Sequence, residues 1–363
     1  MSEAQRDLLD RLFAGAIAAA HPAGRLPQLL PAPPADGHLI MLAAGKAAGA
    51  MTEVAERHYL DTLGLAAGRL AGLAVARHGY ARPTRVAEMI EAGHPVPDEA
   101  SLAAAAGALA LAQSAGADDL VLVLMSGGAS ANWIAPAAGL TLAEKQAVTR
   151  ALLRSGANIG EINSVRKHLS RIKGGRLARA AFPARVVTLA ISDVPGDDPD
   201  TIGSGPTVPD RSTLADARAI VARYRLDLPA AVHRALADPA NETPKPGDPV
   251  FAAAAFHLAA RPADAFAAAE AIVRGAGYDY VFLGERLEGE AREVAAAHAR
   301  LARQLQTQGR RAAILSGGEL TVTISGSGRG GPNQEYALAL AIASGASPAV
   351  GLQTAIVAGF LIS

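Results

Sequence analysis

Short apolar runs alternate along the chain with longer stretches of helical periodicity. The runs are rich in Val, Ile, Leu and Ala, which is typical of strands buried on both faces of a parallel sheet. Strands that alternate with helices indicate a mostly parallel sheet covered by helices, so the pattern predicts an α/β fold. The predicted strands are Leu39–Ala44, Leu73–Ala76, Leu120–Met125, Val186–Ser192, Val281–Leu283, Ala312–Leu315 and Leu320–Ile324.

Two proline-rich segments interrupt this alternation. Residues 22–34 predict a connector between an N-terminal helix and the first strand, because proline ends or kinks regular elements. The segment Pro239–Pro249 holds the densest group of breakers and predicts a hinge or domain boundary. A chain of 363 residues is long enough for about two domains. We expect an N-terminal domain over residues 1–240 and a C-terminal domain over 241–363.

Composition narrows the classes of function. Lys plus Arg and Asp plus Glu both total 34, so the chain lacks the positive charge of a nucleic-acid-binding protein. The absence of cysteine excludes disulfides, thiolate nucleophiles and cysteine-ligated zinc. The N terminus has no secretory pattern, and no apolar run reaches the roughly 18 residues of a membrane span. We therefore expect a cytoplasmic protein with small-molecule ligands and no nucleic-acid or membrane partner; the sequence leaves a homo-oligomer open.

Glycine-rich turns directly follow two of the predicted strands. Such turns expose consecutive backbone N–H groups and suit phosphate. The loops that leave parallel strands meet at one edge of a sheet, so we expect both turns in one crevice. The expected phosphate or substrate contacts from these loops are Ser126, Gly127, Gly128 and Ser130, and then Ser316, Gly317, Gly318, Glu319 and Asn333.

Charged residues follow two other predicted strands. Lys46 can neutralise a transferring phosphoryl group, although Ala47 stands where the phosphate-loop motif has Ser or Thr, and a solvated lysine is the alternative. The loop Asp193–Asp200 carries four carboxylates. Because Mg²⁺ prefers one or two carboxylates with substrate phosphates, Asp193 or Asp197 can hold the metal, or one of them can act as general base. A solvated acidic turn is the alternative.

A basic run extends from Asn163 to Arg179 in this neutral protein. Arginine and lysine suit the carboxylate and phosphate groups of a small acidic substrate, and Arg166 and Lys173 are the preferred binders. Because charge runs are often solvated helix faces, we expect only part of this run to meet a ligand. His94 lies in a proline-rich loop and is a candidate substrate contact, although a loop histidine is more often structural.

The glycines of Gly326–Gly331 also have the spacing of a dinucleotide-binding loop. That motif requires an acidic residue about twenty positions later, and there is no Asp or Glu between Tyr336 and Ser363. A nicotinamide-dependent reductase is therefore an alternative with a weak signal. The chain has neither a Gly-x-Ser-x-Gly elbow nor a His-Glu-x-x-His helix, which argues against the corresponding hydrolases.

Together these motifs resemble the family of glycerate 2-kinases whose C-terminal part is called the MOFRL domain, historically also called hydroxypyruvate reductases. The resemblance spans nearly the whole chain in order. It is carried by Ala44–Ala47, Gly93–Pro97, Ser126–Ser130, Asn163–Ser170 with Lys173–Arg176, Ser192–Asp197, Gly203–Thr207, Ser316–Glu319, and Gly328–Gly331 with Asn333–Glu335.

The resemblance implies two α/β domains around a deep cleft, one with a Rossmann-like, mostly parallel sheet and one a C-terminal MOFRL domain. It implies transfer of the γ-phosphoryl group of ATP, with Mg²⁺, to the 2-hydroxyl of D-glycerate. Lys46 would then contact phosphate or substrate, and Asp193 would be a metal ligand or base. Arg329 and Asn333 would contact the nucleotide or the transferred phosphate.

The chain departs from the family pattern in two places. The usual Gly-Gly-Gly-Ser is here Gly127-Gly-Ala-Ser130, so Ala129 adds a methyl group. The family continues into an Asp-Thr-Asp-Gly-type segment, whereas this chain ends in the apolar residues Ala355–Ser363. We therefore expect the C-terminal domain to be incomplete. Besides the kinase and the NAD(P)H-dependent hydroxypyruvate reductase, a non-catalytic remnant that only binds ligand is an alternative.

Overall fold

The structure, a computed structural model, describes residues 3–194, 196–326 and 330–345. The chain forms two compact units. The sheet unit is Arg25–Ala259, and the terminal unit joins Met1–Gly24 to Ala260–Ser363. The predicted boundary at residues 240/241 differs from this division, because the sheet unit runs on to Ala259 and the N-terminal helix joins the terminal unit.

A six-stranded sheet lies at the centre of the sheet unit. Its strands are β1 (Leu39–Ala44), β2 (Leu70–Arg77), β3 (Glu88–Ala92), β4 (Leu120–Met125), β5 (Arg185–Ile191) and β6 (Ala254–Ala260). Their order is β3-β2-β1-β4-β5-β6, and the four pairings from β3 to β5 are parallel. The predicted α/β class with a mostly parallel sheet is confirmed. The loops that leave β1, β4 and β5 therefore emerge at the same edge.

Helices connect the strands and cover the sheet. They are α1 (Glu3–Ala20), α2 (Pro22–Leu29), α3 (Ala48–Glu56), α4 (Glu99–Gln113), α5 (Ala129–Asn132), α6 (Leu142–Arg154), α7 (Ile159–His168), α8 (Arg176–Ala181), α9 (Leu214–Arg223), α10 (Ala230–Ala237), α11 (Pro262–Gly275), α12 (Ala291–Thr307) and α13 (Pro332–Ala343). None of the helices within the described residues is long and apolar enough to cross a membrane.

The sheet is buried on both faces because its central strands are apolar throughout. Every residue of β1 and β4 is buried. Alternate side chains pack against α4, α5 and α8 on one face and against α3 on the other. A separate apolar cluster joins α6, α7, α9 and α10 beside the sheet. This packing holds the loops at the carboxyl edge of the sheet in fixed positions.

The terminal unit has its own apolar core. Leu8 and Leu12 of α1 pack with Phe266 and Val273 of α11 and with Leu315. The strands β7 (Asp279–Phe282) and β8 (Ala312–Leu315) pair in parallel. The predicted strand Leu320–Ile324 is wrong, because in the described part of the terminal unit only its Thr321 makes a bridge, to Glu290.

Both proline-rich segments differ from the prediction. Residues Pro22–Leu29 form a helix with Pro27 inside it, not an irregular connector. The segment Pro239–Pro249 lies within the sheet unit and not between the two units. Its Glu242 carboxylate contacts His168 Nε2 at 3.0 Å and accepts a hydrogen bond from a backbone N–H. These polar contacts hold the segment on the sheet unit despite its breakers.

Candidate functional site

The loops after β1 and β4 are tied together at the carboxyl edge of the sheet. The N–H of Lys46 donates to the Gly127 carbonyl at 2.8 Å, and the N–H of Ala47 donates to the Ser126 hydroxyl at 2.9 Å. Gly45 has a φ of 117°, and a Cβ there would lie 2.4 Å from Ser126 Oγ. Only glycine allows so close an approach. Buried Ser126 thus ties the loops together, and Lys46 is held beside the glycine turn.

Candidate side chains from two further loops lie against the same turn. A Cβ on Gly127 would lie 1.9 Å from Asp193 Oδ2, and one on Gly128 would lie 2.9 Å from the His94 ring. Lys46 Nζ lies 3.9 Å from Asp193 Oδ2, with 24% and 30% of the two side chains exposed. The structure therefore brings Lys46, His94, Asp193 and the turn together, although the sequence shows them far apart.

The turn itself presents backbone donors. The N–H groups of Gly127 and Gly128 donate to no protein acceptor in the described part of the chain. Gly128 has a left-handed φ of 88° and precedes α5. Adjacent N–H groups in such a turn favour an anionic oxygen, and the Lys46 side chain contacts the same turn. The arrangement can therefore bind a phosphoryl oxygen.

His94 contributes a polar ring to this site. Burial, followed by the nearby Lys46 and Arg77, lowers the pKa of His94 from its ordinary value. A ring held neutral can exchange hydrogen bonds with a ligand without adding positive charge. This state is compatible with the predicted substrate contact.

The acidic loop after β5 is held at its far end. Buried Lys167 pairs with Asp200 and lies 3.4 Å from buried Asp210. Burial raises the pKa of Asp200, although Lys167 opposes the shift. Nearer Asp193, Asp197 has a φ of 55°, and its Oδ1 is buried with no hydrogen-bond partner among the described residues. A non-glycine residue held in this conformation is a marker of functional loops.

The loop fits a magnesium ion by its donor set. Asp193 and Asp197 supply carboxylate oxygens, which Mg²⁺ prefers, and the Oδ1 of Asp197 is buried without a hydrogen-bond partner among the described residues. In the described part of the chain there is no group of three or more His, Cys, Asp or Glu residues that could hold a metal. Water and substrate phosphates would therefore complete the coordination of an ion bound here.

The basic run meets α5 at Ser130. Lys173 Nζ donates to the Ser130 hydroxyl at 2.8 Å and to its carbonyl at 2.7 Å, and Arg166 Nη2 donates to the hydroxyl at 3.0 Å. Ser204, which has a φ of 64°, completes the contacts of this hydroxyl at 3.0 Å. The two basic residues preferred from the sequence thus meet at one serine.

The sequence reasoning missed three further cations of the sheet unit: the buried Lys145 and Lys167, and the half-buried Arg176. One signal was present for Lys145, because it occupies the buried stripe of α6 with Val148 and Leu152. A lysine at an apolar helix position signals a buried charge. No comparable sequence pattern marks the other two.

The terminal unit holds the second glycine turn. Ser316, Gly317, Gly318 and Asn333 line a cavity of about 30 Å³ together with Leu287, Leu320 and Tyr336. Glu319 does not line it. The N–H of Gly317 donates to the Gly284 carbonyl at 2.9 Å, so this N–H is already used. The predicted catalytic Arg329, like Ser327 and Gly328 of the dinucleotide pattern, lies outside the described residues.

Comparison with known proteins identifies similar sequences over both units. A family model described as a domain of unknown function (DUF4147) matches residues 8–237, and the MOFRL family model matches residues 312–359. A protein of Agrobacterium vitis named "Putative hydroxypyruvate reductase" is 48% identical, over 93% of this chain and 76% of its own length. The D-glycerate 2-kinase of Thermotoga maritima is 39% identical, over 84% and 71%.

A solved structure shows the same architecture. The crystal structure of a glycerate kinase from Thermotoga maritima matches with a TM-score of 0.80 at 36% sequence identity. The match covers 94% of this chain and 80% of that protein.

Proposed function

The chain belongs to the glycerate 2-kinase family that combines these two domains, and we propose that it transfers the γ-phosphoryl group of ATP to the 2-hydroxyl of D-glycerate. The product would be 2-phosphoglycerate. The observation that carries the proposal is the group formed by Lys46, Asp193 and the glycine turn at the carboxyl edge of the sheet. It combines a cation, a carboxylate and backbone donors, which phosphoryl transfer requires.

Lys46 and the turn act on the phosphoryl group. Its charge spreads over the outer oxygens during transfer, and donors fixed beforehand stabilise that charge without rearranging. The N–H groups of Gly127 and Gly128 would donate hydrogen bonds to one phosphoryl oxygen, and Lys46 Nζ would neutralise the charge on another. The bond from the Lys46 N–H to Gly127 holds these donors in register.

Asp193 acts on the acceptor. Its carboxylate would accept the proton of the 2-hydroxyl as the oxygen attacks the γ-phosphorus. The carboxylate lies directly against Gly127, which would keep it next to the phosphoryl group bound at the turn. His94, on the other side of the turn, would orient the acceptor through its neutral ring.

Magnesium would be held by Asp197, with water and the phosphates of ATP completing its coordination, which leaves the Asp193 carboxylate to act as the base. A bound Mg²⁺ supplies charge neutralisation to the phosphates of ATP. In the terminal unit, the cavity lined by Ser316, Gly317, Gly318 and Asn333 is a candidate site for an anionic ligand. The reaction class also supports a cytoplasmic location, which cell fractionation tests.

The proposal is tested by product analysis of the purified protein. Incubation with D-glycerate, ATP and Mg²⁺ should release ADP and form a phosphate ester. The proton-coupled ³¹P NMR spectrum then identifies the position. Phosphorus on the 2-oxygen couples to one carbon-bound proton and gives a doublet, whereas phosphorus on the 3-oxygen gives a triplet. A triplet, or no ester, contradicts the proposal.

The reductase is kept as a second candidate because of the Agrobacterium vitis relative's name. The sequence gives it little support, since no Asp or Glu follows the glycine pattern at the required distance. Oxidation of NADH or NADPH by hydroxypyruvate, without ADP formation from D-glycerate, would favour it. Nucleotide binding without either reaction would favour a protein that only binds ligand.

A further inference from the structure

Arg77 is the last residue of β2 and lies at the carboxyl edge of the sheet, where the loops of the candidate site emerge. On one side of it, the N–H of Gly45, which links β1 to Lys46, donates to a carbonyl of β2 at 3.1 Å. On the other side, Arg77 is in register with Ala92 of β3, two residues before His94. Arg77 therefore lies between the strand that leads to Lys46 and the strand that leads to His94.

The side chain of Arg77 lies on the face of the sheet that carries α5. Successive side chains of a strand point to opposite faces. Val75 belongs to the same apolar cluster as Ala129 of α5, and Arg77 follows two residues later on the same face. The His94 ring lies against the start of this helix, 2.9 Å from where a Cβ on Gly128 would be. Arg77, His94 and the glycine turn thus share one face of the sheet edge.

Arg77 and Lys46 act on the same histidine. After burial, Lys46 and then Arg77 lower the pKa of His94. Charges have this effect only when they lie near the ring, because Coulomb energies fall with distance. The two cations therefore flank the ring that contacts the glycine turn.

The guanidinium of Arg77 is held in place without an anionic partner in the described part of the chain. Its carbon lies 3.6 Å above the centroid of the Tyr80 ring. This contact uses the face of the guanidinium and leaves the N–H groups in its plane. Two carboxylates near this turn have other partners, since Glu91 accepts two backbone N–H groups after β2 and Asp98 contacts His78.

One N–H of Arg77 has no acceptor although it is buried. Its Nε makes no hydrogen bond within the described residues, and a buried donor without an acceptor is unfavourable. The rest of the side chain is partly exposed, so a ligand can reach it. An anionic oxygen beside the guanidinium would provide both the missing acceptor and a counter-charge.

Phosphoryl transfer requires one more such group. The charge of the transferring group is spread over three outer oxygens, and in the proposed function the glycine turn and Lys46 contact two of them. We propose that Arg77 is a further catalytic residue, which contacts the third outer oxygen and is held for this purpose by the ring of Tyr80. This inference rests on the proposed function for the identity of the ligand.

The first experiment measures turnover. Arg77→Met should lower kcat for ADP release with D-glycerate by about 100-fold or more, while KM for D-glycerate changes by less than about threefold. Arg82→Met is the matched control, because Arg82 lies in the same connection between β2 and β3 but is 4.0 Å from the Glu53 carboxylate. It should turn over as the wild type does. Wild-type kcat in folded Arg77→Met would overturn the proposal.

The second experiment separates the transition state from the ground state. Aluminium fluoride with ADP, Mg²⁺ and D-glycerate takes the place of the transferring group. Fluorescence of Trp133, the single tryptophan, reports binding because this residue directly follows α5. Arg77→Met should weaken aluminium fluoride binding by about tenfold or more and change the affinity for ADP alone by less than about twofold. Equal weakening of both would show a structural role and overturn the proposal.

A second variant keeps the proposal testable if Arg77→Met does not fold. Tyr80 is 48% exposed, so Tyr80→Leu should fold while it removes the ring beneath the guanidinium. Its kcat should fall by about fivefold or more with little change in KM, because the guanidinium is no longer held in one plane. Wild-type kcat in Tyr80→Leu would overturn the role of the stacked pair.

The two proposals fail in different ways. Inorganic pyrophosphate is a probe that requires no transfer. A wild type that releases no ADP, but whose affinity for pyrophosphate falls in Arg77→Met, loses the kinase and retains an oxyanion site at Arg77. A wild type that releases ADP, with unchanged kcat and aluminium fluoride affinity in Arg77→Met, retains the kinase and loses the role of Arg77.

Discussion

Replacement of Gly127 by alanine tests whether the glycine turn positions Asp193 for catalysis. The added Cβ would lie 1.9 Å from Asp193 Oδ2 and 2.5 Å from its Cγ. Ordinary contact between these atoms begins near 3.4 Å. The carboxylate must therefore move by roughly 1.5 Å. A displacement of about 1 Å at a reacting group can cost 100-fold in rate.

We expect Gly127→Ala to lower kcat/KM for D-glycerate about 100-fold, which is about 2.7 kcal/mol of transition-state stabilisation. The free energy of unfolding should change by less than about 1 kcal/mol, because a partly exposed carboxylate can move aside without opening a cavity. A large loss of kcat/KM with a small change in the free energy of unfolding would show that the turn acts on catalysis and not on folding.

The assay is steady-state ADP release together with urea unfolding of each variant. Gly68→Ala is the control, since a Cβ on Gly68 would have no heavy atom within 4 Å, and its kinetics should match the wild type. If the turn acts through the carboxylate, Gly127→Ala should add little to the loss already caused by Asp193→Asn. Wild-type kcat/KM in Gly127→Ala, or full additivity with Asp193→Asn, would refute the reasoning.

Three other substitutions test neighbouring groups. Lys46→Ala should lower kcat/KM at least tenfold, about 1.4 kcal/mol, because a cation at the phosphoryl group is lost; unchanged kinetics in the ADP assay would remove Lys46 from the site. Folding lowers the pKa of His94 below its ordinary 6.5, so its contribution to stability is present above that pH and is lost as the pH falls through the folded pKa. Urea unfolding of His94→Gln should therefore depend less steeply on pH below 6.5 than that of the wild type, and equal slopes would contradict the shift. Lys167→Met leaves buried Asp210 without its cation and should lower the free energy of unfolding by about 3–5 kcal/mol. Adding Asp210→Asn in the same chain should restore part of that loss. A loss below about 1 kcal/mol, the typical value for an exposed ion pair, would show that the pair is solvated.

Two of the strands that the sequence predicts correctly are buried along their whole length. Leu39–Ala44 and Leu120–Met125 have the predicted bounds because both faces are apolar and a polar turn ends each run. Strand β3 lies at the sheet edge and carries Glu88 and Glu91, so it lacks the apolar pattern from which the other strands were predicted. Apolar and polar residues alternate along Leu320–Ile324 as they do in a strand. A strand also requires a neighbouring strand to pair with, and the pattern of one segment does not show whether such a neighbour exists.

The sequence predicts those parts of the candidate site in which a residue of suitable chemistry directly follows a predicted strand. Lys46, Asp193 and the Gly127 turn follow β1, β5 and β4, and parallel topology alone brings such loops to one edge. The buried charge of Lys167 was not predictable. Lys167 reads as a member of a solvated basic run, yet its pairing with Asp200 depends on a contact between distant segments.

The short helix α5 connects two sets of charged side chains in the sheet unit. Its N-terminal turn contacts Lys46 and Asp193, while Ser130, within the same turn of helix, contacts Arg166 and Lys173. Because α5 packs between the sheet and the loop of Gly203 and Ser204, it cannot move one set without the other. The position of Ser130 relative to the glycine turn is therefore set by backbone geometry.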